Sequence, residues 1–204
     1  MVLTKKELAV LLSSLKPFPD VKVELEQYQT PGEIAADVLW TAHMQGDLQG
    51  KIVADLGCGT GILGCGALAL GAKHVLFVDV DRKALLIAKE NVAQLEQLLK
   101  KTFSALFMLQ NVAQFHRSID TVLQNPPFGV QEEHADRAFL QAAMASKVVY
   151  SFHKLETRHF IENFVRNNHK TATFVKSYTF PLKKTMLFHT KPVYHIDVGL
   201  WRIQ

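Results

Sequence analysis

Six of the eleven glycines of this chain lie between residues 57 and 71, and the first three form a turn, Gly57-Cys58-Gly59-Thr60-Gly61, directly after the apolar run Ile52-Val53-Ala54-Asp55-Leu56. Glycine reaches positive φ without strain and leaves no side chain in the way. Backbone at such a turn can therefore approach a ligand closely, with the N-terminus of the next helix facing it. A strand, a glycine turn and a helix in that order specify an α/β fold, and the rest of the pattern agrees. Short β-branched runs mark strands at 51–56, 74–79, 105–109, 119–124, 147–152, 171–180 and 193–203, and helical patterns fill 61–70, 82–100, 135–146 and 156–168 between them. The first five strands are mostly apolar, as buried parallel strands must be. The last two alternate in polarity across a Pro/Lys-rich segment, 181–192, and are expected to form an antiparallel pair ending the sheet.

Upstream, helical patterns cover 4–15 and 31–44, joined by an extended connector over 16–29. Thr30, Pro31 and Glu33 read as a capping box that starts the second helix. With 204 residues, 48% hydrophobic and 21% charged, the chain is expected to be one domain, an N-terminal cap over 1–50 on a core of 51–204. The longest uncharged apolar stretch, Gly61 to Ala72, is far short of the roughly 20 residues of a membrane span. The first residues, Met1 to Glu7, lack the order of a secretory leader, so a cytoplasmic protein without a membrane anchor is expected. Cys58 and Cys65 are the only cysteines, too few for a disulfide framework or a structural zinc, and no metal site is expected. Charge is uneven: residues 151–204 carry 9 Lys+Arg against 3 Asp+Glu, while residues 1–150 carry 14 against 16. The C-terminal quarter could hold a polyanion such as RNA, or it is simply a solvated basic face.

Asp79 ends the second strand, where a carboxylate can accept from both hydroxyls of a ribose bound across the crevice. Gly59-x-Gly61-x-x-Gly64 also fits a dinucleotide fingerprint, with Asp79 at the expected distance. Asp55 argues against that, because a carboxylate at the end of the first strand is badly placed beside a pyrophosphate and well placed beside a cation. The turn resembles motif I of the class I S-adenosylmethionine-dependent methyltransferases, and Val78-Asp79-Val80-Asp81 resembles their acidic second motif. That resemblance implies a Rossmann-like seven-stranded sheet with helices on both faces and an antiparallel last strand, and S-adenosyl-L-methionine as cofactor. Asp79 is then the ribose ligand, and Asp81 the cap of the helix beginning at Arg82.

After the strand at 119–124 comes Asn125-Pro126-Pro127-Phe128-Gly129. Paired prolines make a rigid turn and leave the Asn125 side-chain oxygen and the Pro126 carbonyl as acceptors without competing N–H groups. Two acceptors at fixed separation suit the two hydrogens of an NH2 group, and Phe128 offers a flat face for stacking. The segment resembles the (D/N/S)-P-P-(Y/F/W) motif of amino-group methyltransferases, which act on adenine N6, cytosine N4 or glutamine. The resemblance implies that Asn125 and Pro126 draw the nitrogen lone pair out of conjugation so that it attacks the sulfonium methyl in line, with Pro127 and Phe128 completing the site and no strong base required.

Leu25-Glu26-Gln27-Tyr28-Gln29-Thr30-Pro31, Tyr150-Ser151-Phe152-His153-Lys154 and the NPPF motif together resemble the methyltransferase-like enzymes that make N6-methyladenosine in small-subunit ribosomal RNA. The likeness runs from about Lys22 to Trp201. It implies cofactor contacts from Gln27, Thr30, Asp55, Gly57, Gly59, Thr60, Ile62, Asp79, Asn111 and Val112. Asn111 departs from the Asp usual there, losing the anionic strengthening of a hydrogen bond to the cofactor's adenine. The basic segment with Lys176, Lys183, Lys184, His189 and Lys191 is expected to hold RNA phosphates. The resemblance implies that a small zinc-binding activator protein often accompanies such enzymes; the apolar strand 105–109, expected at a sheet edge, is a candidate surface for it, and a covering helix or self-association would explain the pattern equally well. Two rivals stand beside this reading: an N5-glutamine methyltransferase acting on a release factor, and a non-catalytic RNA-binding subunit.

Overall fold

The computed structural model describes residues 3–19, 21–22, 25–128, 135–183 and 193–204. Its strands are β1 (Ile52–Leu56), β2 (His74–Asp79), β3 (Ala105–Leu109), β4 (Thr121–Gln124), β5 (Val148–Lys154), β6 (Ala172–Lys183) and β7 (Val193–Ile203), and they form one seven-stranded sheet in the order β3-β2-β1-β4-β5-β7-β6. β1 to β5 are mutually parallel, while β7 runs antiparallel to both β5 and β6. Sheet order departs from chain order at the end, where β7 inserts between β5 and β6. The expected class I architecture is the one observed.

Alternation along the inner strands sends Val53, Val75, Phe77 and Leu123 into one apolar cluster and Ala54, Leu56, Leu76, Val78 and Val122 into another. The first cluster is closed by α1 (Lys5–Ser13), α2 (Gly32–Met44), α3 (Ile62–Ala69) and α4 (Arg82–Leu99), the second by α5 (Ala135–Ala143) and α6 (Arg158–Asn167). Helix α3 must pack closely: a Cβ on Gly64 would come within 2.3 Å of the Phe77 ring, and one on Gly66 within 2.2 Å of Leu39. Glycines of 57–71 therefore serve packing of α3 on the sheet and on α2 as well as the turn.

Capping differs from expectation. The capping box lies on α1, where the Thr4 side chain accepts from Glu7 N–H and Glu7 reaches back to Thr4. Thr30 does not cap α2. That helix begins at Gly32 with Pro31 as its N-cap residue and no side-chain cap, because the Thr30 hydroxyl is instead bound by the Asn125 amide, 3.1 Å away. Asp81 caps α4 as expected, accepting from Lys83 N–H at 3.0 Å. No helix among the described residues is long and apolar enough to cross a membrane.

Two acid-centred networks tie the periphery down. Asp47, ahead of β1, accepts from Tyr150 Oη at 2.7 Å and from Arg202 Nε at 2.9 Å, while its carbonyl accepts from Thr121. On α2, Asp37 receives Lys5 from α1 and, at 2.8 Å each, Lys176 and Tyr178 from β6. Burial pushes the Asp37 carboxyl up, but the bonds from Lys176, Lys5 and Tyr178 outweigh it and bring the pKa down to about 2.

Candidate active site

A cavity of about 480 Å3 opens at the carboxyl end of β1, β2 and β4, within the size range of small-molecule sites. Its wall brings together Gln27, Thr30, Asp55, Gly57, Gly59, Thr60, Ile62, Asp79, Asn111, Val112, Asn125 and Pro127, residues that are far apart in the chain. Pro126 and Phe128 are not part of that wall. Phe128 is only 6% exposed and lies against Tyr28 in a parallel stack, centroids 5.7 Å apart, with Phe180 edge-on at 6.1 Å.

The floor is the glycine turn. Gly57, Gly59 and Gly61 all have positive φ, at 64°, 53° and 81°, which β-substituted residues adopt only at a cost. Gly59 N–H donates to Asp79 Oδ2 and Asp81 N–H to Asp79 Oδ1, each at 2.8 Å, so the β2 carboxylate is held rigidly beside the turn. Gly64 N–H, in the first turn of α3, donates to Asp55 Oδ2 at 2.8 Å. Burial drives the Asp55 carboxyl up to about 8; the Gly64 bond opposes this and the nearby Asp79 charge adds to it. Burial likewise raises Asp79, against the bonds from Asp81 and Gly59.

The lining includes three carboxylates, Glu26, Asp55 and Asp79, and among the described residues it contains no Lys, Arg or His. A pyrophosphate would find no cationic side chain there. A ligand with a sulfonium and an ammonium finds buried acid, so the cavity's chemistry suits S-adenosylmethionine and not a dinucleotide.

The lid comes from the N-terminal connector. Lys22 pairs with Asp81 at 2.9 Å, Gln27 Nε2 donates to Asp81 Oδ2 at 2.8 Å, and Lys22 N–H donates to Gln27 Oε1 at 3.0 Å. Asp81 is thus a helix cap and the anchor of the segment that covers the cavity. Asn111 accepts from Ala113 N–H at 2.9 Å, which shapes the short 3-10 turn Val112–Gln114 while its side chain remains exposed at the cavity rim.

Asn125 is the most telling residue. Its Nδ2 donates to Thr30, and its Oδ1 is buried with no hydrogen-bond partner. A buried acceptor left open costs about 1–3 kcal/mol, a debt that a ligand donor can settle.

Reasoning from the chain alone passed over Phe18, Tyr28 and Phe139, which also line the cavity. A Cβ on Gly57 would meet Phe139 at 2.7 Å, and one on Gly59 would meet Phe18 at 2.9 Å, so these rings rest directly on the turn. Phe18 carried a signal, since it stands between Pro17 and Pro19 in an extended connector. Phe139 lies on an amphipathic helix and carried none. Of the expected RNA-binding residues, Lys176 is already paired with Asp37, Lys183 ends β6, and Lys184, His189 and Lys191 lie outside the described residues.

A seven-stranded sheet with one reversed strand, a glycine turn after β1 and an acid at the end of β2 define an S-adenosylmethionine-dependent methyltransferase of class I. The family model described as "Methyltransferase small domain" matches residues 33–150. The rRNA N(6)-adenosine-methyltransferase METTL5 of Danio rerio is 35% identical, with 97% of each chain covered. An uncharacterised protein of Methanocaldococcus jannaschii is 36% identical over 100% of this chain and 95% of its own. Among solved structures, a protein of Pyrococcus horikoshii assigned as an RNA methyltransferase is 43% identical with a TM-score of 0.87, covering 100% of this chain and 98% of that one. The chain belongs to the methyltransferase small-domain family and, within it, groups with the rRNA N6-adenosine methyltransferases.

Proposed function

We propose that this protein transfers a methyl group from S-adenosylmethionine to the N6 amine of an adenosine in small-subunit ribosomal RNA. The observation that carries the reading is Asn125 Oδ1, a buried, unpaired acceptor in the wall of an acidic cavity. Thr30 takes the amide nitrogen and so turns the oxygen toward the incoming amine. Asn125 Oδ1 and the Pro126 carbonyl accept the two amine hydrogens, which favours the pyramidal nitrogen that forms as methyl transfer proceeds. Asp55 and Asp79 hold the cationic donor and its ribose, Gln27, Thr60, Ile62, Asn111 and Val112 line its length, and the glycine turn admits it. The bound cofactor supplies the electrophilic methyl. Phe128 supports the base from a site that Tyr28 now covers, so base entry requires Tyr28 to move.

RNA is favoured over a protein loop by the shape of the C-terminal hairpin. β5 ends its pairing at Lys154 opposite Val198, whereas β6 and β7 continue as a two-stranded arm through Lys183 and Val193. The arm projects past the carboxyl end of the parallel strands, and its root, Phe180, rests on Phe128. Lys183, the last residue of β6, stands at the far end of that arm, on the side from which RNA would approach. We further read residues 1–204 as one catalytic unit with 1–50 as its cap, working in the cytoplasm, where the two buried free thiols stay reduced. The β3 edge, with Leu106 42% and Leu109 51% exposed, is the surface we assign to a small zinc-binding activator.

The test is nucleoside mass spectrometry of small-subunit rRNA incubated with the protein and labelled methyl donor, expecting N6-methyladenosine at one site. Methylation of a release-factor glutamine instead would overturn the reading. Neutralising Lys183 and Lys184 together should flatten the salt dependence of RNA binding by a log–log slope of up to about two, with cofactor affinity unchanged.

A further inference from the structure

We propose that Gln124, Ser151, His153 and Asp136 form a one-way hydrogen-bonded relay that sets the position of the amine-binding turn, with His153 as a positioning residue for methyl transfer. The proposal rests on the reading of Asn125 given above. Gln124 is the last residue of β4, directly before Asn125, and Ser151 is its register partner on β5. His153 lies two residues further along β5, on the same face, and Asp136 lies in the first turn of α5. Gln124 Nε2 donates to Ser151 Oγ at 2.9 Å, Ser151 Oγ meets His153 Nε2 at 2.6 Å, and His153 Nδ1 meets Asp136 Oδ2 at 3.3 Å.

Burial disfavours the charged form of His153, and with a neutral imidazole one assignment satisfies all three contacts. The Asp136 carboxylate accepts, so His153 carries its proton on Nδ1 and leaves Nε2 as an acceptor. Ser151 O–H then donates to Nε2, and its oxygen lone pair must receive the Gln124 N–H. Donors point in one direction throughout, an arrangement in which each bond strengthens the next. The order Asp–His–Ser is that of a hydrolytic triad. Ser151 is 0% exposed and His153 1%, however, so neither can meet a substrate and the serine is no nucleophile. What the relay does reach is both flanks of the NPPF turn. One end fixes the strand that delivers Asn125. The other fixes the helix that carries Ala138 and Phe139 into the cavity wall, with Phe139 over Gly57. A polar chain buried in this way does for the catalytic turn what an outer hydrogen-bond shell does for a metal ligand.

The first arm of the test is imidazole 15N NMR on the intact protein. His153 is expected as a single neutral tautomer with its proton on Nδ1, and a proton on Nε2 would overturn the relay. In the second arm, Ser151→Ala and Asp136→Ala should each lower kcat for RNA methylation about tenfold, the scale of a modest misplacement, while calorimetric affinity for S-adenosylmethionine stays within about twofold. Ser151→Thr and Asp136→Asn, which keep a hydroxyl and an acceptor oxygen, should restore most of kcat. Unchanged kcat in the alanine variants, or kcat and cofactor affinity falling together with thermal stability and no rescue, would reduce the relay to packing. If the unmodified protein methylates no RNA adenine, the functional reading fails, while the NMR arm still decides the tautomer.

Discussion

Asp47 and Asp55 stand at opposite ends of β1, and the protein treats them in opposite ways. Asp47, at the amino end, is saturated: Arg202 and Tyr150 fill its carboxylate and Thr121 its carbonyl. Asp55, at the carboxyl end, has a single backbone N–H from Gly64, acidic neighbours and a carboxyl raised to about 8. The same contrast holds between Asp37, which binds two lysines and a tyrosine, and Asn125, whose oxygen is buried with no partner. Polar groups on the amino side and the outer helices hold the fold together. At the carboxyl edge, Asp55 and Asn125 are left short of partners, at a cost in stability, where a ligand could complete them. This is the strain expected where a parallel sheet opens its strand ends to a substrate.

The sharpest way to break the contrast is at its reactive end. Asn125→Ala should lower the single-turnover rate of methylation by about 10^2-fold or more, the cost of losing one preorganised electrostatic contact. Cofactor affinity should hardly change, and stability should change little, since removing an unsatisfied acceptor offsets the lost bond to Thr30. Normal turnover would end the proposed role.

At the opposite end, Asp47→Ala should destabilise the protein by about 3 kcal/mol in chemical denaturation, because the partly buried Arg202 loses its counter-charge. A negligible loss would show that Tyr150 and Gln204 suffice to hold the guanidinium.

Asp55→Asn sharpens the comparison by moving function and stability in opposite directions. Because the folded carboxyl titrates near 8 and the unfolded one near 3.8, the folded state retains a proton that the unfolded state gives up between these values. Stability from this group is therefore fully present below about pH 4 and lost as pH rises through about 8. Asparagine removes that loss, so the ligand-free variant should melt higher than the parent at pH 9, with little difference at pH 4. Affinity for S-adenosylmethionine should fall about tenfold as the cation loses its carboxylate. A variant equally stable at both pH values and equally tight in binding would remove Asp55 from the site's electrostatics.

The smallest expected effect lies at the rim. Asn111→Asp keeps the acceptor for Ala113 N–H and adds a charge facing the cavity, so cofactor affinity should tighten about threefold by calorimetry. Weaker binding would mean that Asn111 shapes the turn and does not meet the adenine.

How much of this was legible in the chain depended on whether the signal was local. The strand at 105–109 coincides with β3, and the glycine turn, the acid at Asp79 and the cap at Asp81 stand where their local chemistry placed them. Thr30 departs from its local pattern because a threonine before a proline and a glutamate is compatible with a helix start without requiring one. Its hydroxyl went to Asn125, a partner that no window around residue 30 contains. The motif suggests an open stacking face at Phe128, yet Tyr28 and Phe180 lie against it.

The sequence by itself determined the α/β order, the acidic glycine turn and the rigid Asn-Pro-Pro-Phe turn, because strand periodicity, positive-φ glycines and proline rigidity act over a few residues. Only the tertiary structure decided that Asp55 would find no cation among the described residues, that Lys176 would be neutralised by Asp37, and that Gln124, Ser151, His153 and Asp136 would line up behind Asn125. Those outcomes depend on which strands become neighbours and on how much water is left around each charge, and both are set by the packing of the whole sheet.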